Sequence, residues 1–112
     1  MANQSLGFVT VAAAGTPARL TANETTPSAQ FGAHSYLVEV HPNNTGNVYI
    51  GTATMNKATG VGVFAILPPP TANTYPSFSS NIVEAAAGFA LNNIYIDVDN
   101  NGEAALISCI IA

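Results

Sequence analysis

The sequence predicts an all-β chain: a single antiparallel β-sandwich, jelly-roll-like, built from seven to eight short strands. Three observations carry that expectation. Apolar residues alternate with a period of two rather than 3.6. The apolar runs are rich in β-branched and aromatic residues. Gly, Pro and Asn clusters interrupt them about every ten residues, the spacing of a sandwich or jelly roll. At 112 residues, one domain covering 1–112 with a short amino-terminal arm is expected. A chain of that size buries roughly two-thirds of its unfolded surface and needs neither disulfide nor metal to fold.

Taken in order, Leu6-Gly7-Phe8-Val9-Thr10-Val11 reads as the first strand and Pro17-Ala18-Arg19-Leu20-Thr21 as a second, short one with proline at its start. Residues 25–30 form a loop. Residues 34–41 alternate, with Tyr36, Val38 and Val40 on one face and Ser35, Leu37, Glu39 and His41 on the other. Pro42-Asn43-Asn44-Thr45-Gly46-Asn47 is a dense turn signal, and residues 48–54 read as the hairpin partner of 34–41. Residues 57–62 form a flexible turn before a strand at 63–67. Pro68-Pro69-Pro70 stops that strand, because proline donates nothing to a ladder. Residues 71–80 read as polar loop. The next segment is open: Glu84-Ala85-Ala86-Ala87 suits a helical turn ended by Gly88, and Asn81-Ile82-Val83-Glu84 suits a short strand. Residues 94–98 form a strand, Asn100-Asn101-Gly102 reverses it, and 103–111 close a last hairpin.

Charge narrows the function. Two Lys or Arg and six Asp or Glu give a net charge of −4, and charged residues make up 7% of the chain against about a quarter in soluble domains. With Arg19 and Lys57 as the fixed cations, no stripe for tracking phosphates can be built, so neither nucleic acid nor an anionic membrane is an expected partner. The start Met1-Ala2-Asn3-Gln4-Ser5 lacks a secretory pattern, and no apolar run approaches the roughly 20 residues that span a bilayer. Synthesis in a cytoplasm is expected. An exterior of Ser, Thr, Asn, Gly and Ala is weakly hydrated, and it suits a protein that works packed against copies of itself or a partner.

No cluster announces catalysis, and no cofactor is expected. Asp97-Val98-Asp99-Asn100-Asn101-Gly102 matches the opening of a calcium loop, so Asp97, Asp99 and Asn101 are the candidate metal ligands. The position of the closing Glu holds Ser108, and the competing reading is a solvated Asn-Gly turn. His34 and His41 are seven residues apart and project to opposite faces of a straight strand. Glu39 and Glu84 read as surface charges. Cys109, the single cysteine, lies in an apolar run and reads as a small buried hydrophobe.

Three segments in a fixed order carry a resemblance: Gly15-Thr16-Pro17-Ala18-Arg19-Leu20, then Asn44-Thr45-Gly46-Asn47-Val48-Tyr49-Ile50-Gly51, then Asn93-Ile94-Tyr95-Ile96-Asp97-Val98-Asp99-Asn100-Asn101-Gly102-Glu103. Together the chain resembles the small head decoration, or cement, proteins of tailed bacteriophages. It departs from their pattern at Pro68-Pro69-Pro70, at the 71–80 loop and in the Ala-rich 84–91 segment. The resemblance implies a non-enzymatic structural protein of the virion that binds the outer surface of the capsid and staples neighbouring major capsid protein subunits. A homo-oligomer is expected, a homotrimer on local threefold axes first and a homodimer second. The contacts expected are Asn3, Gln4, Leu6 and Phe8 in the arm, Pro27 and Phe31 in one loop, and Pro69, Tyr75 and Phe78 in another. Two other readings stand beside it: a tail or head-fibre component, and a calcium- or carbohydrate-binding β-sandwich module with Tyr49 or Tyr95 stacking on sugar.

Overall fold

A computed structural model describes residues 2–20, 35–81 and 94–111. They contain eight strands: β1 (Ala2–Thr10), β2 (Ala18–Arg19), β3 (Ser35–Val40), β4 (Val48–Gly51), β5 (Val63–Leu67), β6 (Ser77–Asn81), β7 (Tyr95–Val98) and β8 (Ala104–Ile111). Two four-stranded sheets form, ordered β1-β8-β3-β6 and β2-β7-β4-β5, with every pair antiparallel. The pairs β1·β8, β2·β7, β3·β6 and β4·β5 describe one long hairpin that doubles back between β4 and β5. Rolling it up adds the β3·β8 and β4·β7 pairs. That is a jelly roll, and the expected β-sandwich is the observed one.

The core lies between the sheets. Tyr36, Val38 and Val40 of β3 face it, with Leu37 outside, as the alternation predicts. Val9, Ile107 and Cys109 line the same wall. Val48 and Ile50 of β4, Ile96 and Val98 of β7, Leu67 and Leu20 line the other. Val and Ile dominate because their stiff, branched side chains pack well against neighbours on a pleated surface. Each of these burials contributes about 1.5–3 kcal/mol.

Four expectations change. Residues 48–54 are not the hairpin partner of β3: β4 ends at Gly51 and lies in the opposite sheet, so the 42–47 turn is a crossover. The Asn100-Asn101-Gly102 turn likewise carries the chain from β7 to β8 in the other sheet, and the last two strands form no hairpin. Turn chemistry announces a reversal, but a corner and a hairpin reverse the chain alike. What decides is the burial of both strands against each other across the core. Third, the end of the 71–80 loop is strand β6, whose Phe78 packs inward opposite Val38 while Ser77 and Ser79 stay exposed. Its serine content hides the period-two pattern. Fourth, residues 2–8 are not a free arm, since β1 pairs with β8 from Ala2 to Thr10 with a bulge at the Ser5–Gly7 step. Asn81 ends β6, and the rest of the two alternatives, residues 82–87, lies outside the described residues, as do the contacts at Pro27 and Phe31.

Candidate functional site

The two crossover turns meet at one end of the sandwich, and Asp99 and Glu103, between β7 and β8, knit them together. Asp97 sits on the outer face of its sheet yet is only 2% exposed. Its Oδ1 accepts from the N–H groups of Gly15 (2.9 Å) and Val98 (2.8 Å), and Lys57 Nζ stands 3.6 Å from Oδ2. The same ammonium donates to the Val98 carbonyl at 2.6 Å. A buried carboxylate survives only when paired and hydrogen-bonded in this way.

Asp99 accepts from the Asn47 N–H (3.1 Å) and from the Tyr49 hydroxyl (2.9 Å). Burial, with the Asp99 and Asp97 charges, raises the Tyr49 phenol above its ordinary value despite the opposing Asn47 hydrogen bond. Asn101 Oδ1 accepts from the Ala14 N–H at 2.8 Å. Glu103 accepts from the N–H groups of Thr45 (2.6 Å) and Gly46 (3.1 Å) and from the Thr45 hydroxyl. Burial pushes the Glu103 carboxyl up, but those donors and Asn100 outweigh it and hold it below the usual carboxylate range.

The three candidate calcium ligands therefore aim at three different places: Asp97 at Gly15 and Lys57, Asp99 at Asn47 and Tyr49, and Asn101 at Ala14. Among the described residues no group of three His, Cys, Asp or Glu side chains stands together. The arrangement holds turns closed: carboxylates and an amide supply the acceptors that turn N–H groups need. Gly46 belongs to it sterically, since a Cβ there would lie 2.7 Å from Asn100 Nδ2 and 2.9 Å from Asp99 Cβ. Two participants are not singled out by the sequence. Asn44, buried, exchanges two hydrogen bonds with the Ala104 backbone at 2.7 and 3.2 Å, standing in for a strand. Lys57 had a signal, being the single lysine of the chain.

The tyrosines read as sugar platforms each lie beside a cation: Lys57 Nζ is 5.4 Å from the Tyr49 ring centre and the Arg19 guanidinium 6.0 Å from that of Tyr95. Phe8 is exposed and rests on the His41 ring, centres 4.6 Å apart. The two flank an open cleft of about 280 Å³ that reaches Asn43 and Glu103. His41 Nδ1 accepts from the Asn43 N–H.

Of the expected contact residues, Leu6 and Phe78 pack against the core, Pro69 is half-buried, and Phe8 and Tyr75 are exposed. Asn3 and Gln4 lie within β1. Among the described residues, the other large apolar side chains in the open are Leu37, at the edge of exposure, and Val61, Phe64 and Ile66. The last two stand on the outer face of β5 and Val61 in the turn before it. Compared with known proteins, the chain matches no protein-family model, no curated protein and no solved structure.

Proposed function

We propose that this chain is a non-enzymatic structural protein of a phage virion, a decoration protein that binds the outer surface of the head. On this reading it contacts neighbouring major capsid protein subunits and its own copies. The observation that carries the reading is the division of its polar groups. Among the described residues, three of the four acidic side chains, Asp97, Asp99 and Glu103, are spent on closing turns at one end, while the open surface offers Phe8, Leu37, Val61, Phe64, Ile66 and Tyr75 among neutral Ser, Thr and Ala. Exposed apolar side chains set in a neutral surface lose little desolvation energy when covered, which is what a stapling protein requires. The jelly roll supports it by analogy, as a rigid body that recurs in viral capsids.

Co-sedimentation with empty head shells, assembled from the major capsid protein of the phage that carries this gene, tests the reading. Saturable binding at a fixed ratio to capsid subunits is expected. A chain that stays in the supernatant at every concentration overturns it.

A further inference from the structure

We propose that Asn101–Gly102 is a latent deamidation site, held shut by two hydrogen bonds of the crossover corner and reactive only when that corner opens. Capsid binding has no part in it.

Of the asparagines in the sequence, Asn101 alone precedes a glycine. Deamidation there closes a five-membered ring. The Gly102 nitrogen gives up its proton and attacks the side-chain carbonyl carbon of Asn101. A C–N bond forms, the bond to Nδ2 breaks, and Nδ2 leaves as ammonia, taking up a proton in place of the one Gly102 lost. Water then opens the cyclic imide at either carbonyl, leaving aspartate or isoaspartate at position 101. A following glycine favours ring closure, because no Cβ crowds the attacking nitrogen. Both residues are exposed, so water reaches them.

The fold opposes both halves of the first step. The Gly102 N–H donates to the Val11 carbonyl at 2.8 Å, which stabilises the protonated form of the nitrogen that has to lose its proton. Asn101 Oδ1 accepts from the Ala14 N–H, also at 2.8 Å, which pins the carboxamide to a distant turn. Ring closure has to break that bond and swing the group onto Gly102. Next to them, the Val11 N–H donates to the Glu103 carbonyl at 2.9 Å, so the segment is tied on both sides of the reacting pair. Local opening of the corner is therefore what exposes the site.

The two products differ in consequence. Aspartate keeps an oxygen for the Ala14 N–H but places a further negative charge between Asp99 and Glu103 in a chain of net charge −4. Isoaspartate also routes the main chain through the side-chain methylene. The backbone is then one carbon longer where Gly102, at φ +81°, has to meet Val11.

Peptide mapping by mass spectrometry, over a time course at neutral pH on the full chain folded and in urea, reads the site. The expected result is conversion of Asn101 in urea to both products, at least about tenfold faster than in the folded chain, the protection of two such bonds. Ala14→Pro isolates the guard. The Thr16 N–H donates to the Ala13 carbonyl at 3.0 Å and Gly15 has φ +93°, a type II turn whose second position suits proline. The variant keeps that turn and removes the N–H that holds Asn101. Folded by circular dichroism, it is expected to convert about fivefold faster than the unsubstituted chain. Independently of the variant, conversion of Asn101 and hydrogen exchange of the Gly102 amide should rise together in urea below the unfolding transition. Equal rates in folded and urea-treated chains, or no conversion in urea, overturn the proposal. So does a folded Ala14→Pro chain that converts no faster, or Gly102 exchange that accelerates without conversion.

Discussion

The crossover corner and the β5 edge are opposite solutions to the same shortage of charge. At the corner, Asp97, Asp99, Asn101 and Glu103 spend their acceptors on backbone N–H groups of turns far away in sequence. At β5 there is no charge to spend, and the outer face keeps two large apolar side chains in the open. One region fixes the fold, and the other leaves surface for association. Polar residues in this protein mark what must not move, and apolar exposure marks what is available.

Substitutions can break that contrast. The largest expected effect is Asp97→Ala, which orphans two N–H groups and leaves Lys57 facing a buried void. A loss of about 3 kcal/mol is expected in urea denaturation. Gly51→Ala tests the join between the regions: a Cβ there runs into the backbone carbonyl of Gly62 at the base of the β4–β5 loop. A cost of about 2 kcal/mol is expected, with melting temperature as the check.

Glu103→Gln should cost about 1.5 kcal/mol at neutral pH. Because the folded carboxyl titrates below its unfolded value, its contribution is present above about pH 4.3 and lost as pH falls through the lower folded value. The variant should therefore flatten the acid limb of a stability–pH curve, and an unchanged limb would remove Glu103 from the corner's account. The smallest effect on folding is expected at β5, where Ile66→Lys should move stability by no more than about 0.5 kcal/mol. A corner variant that changes association, or a β5 variant that unfolds the chain, would erase the contrast.

Much of the framework is legible in the residues. Alternation in 35–40 places Tyr36, Val38 and Val40 inside, Pro68-Pro69-Pro70 ends β5 where expected, and Cys109 is core. β6 is missed because Ser77, Ser79 and Ser80 carry too little hydrophobic contrast to show a period around Phe78. The corner is half legible. Asp97-Val98-Asp99-Asn100-Asn101-Gly102 stands out as chemically loaded, but a loop of carboxylates reads the same whether its oxygens converge on an ion or diverge to separate N–H donors.

The sequence by itself determined the all-β class, the face of each alternating strand and the shortage of charge, because these depend on residue type and on a period of two. Which strands share a sheet was decided only by the tertiary structure. The turns at 42–47 and 99–103 have hairpin chemistry, yet they cross between sheets because β4 and β7 bury Val48, Ile50, Ile96 and Val98 against the wall formed by β3 and β8. A well-placed Gly or Pro contributes about 0.4–1 kcal/mol, and burying four such side chains several times that.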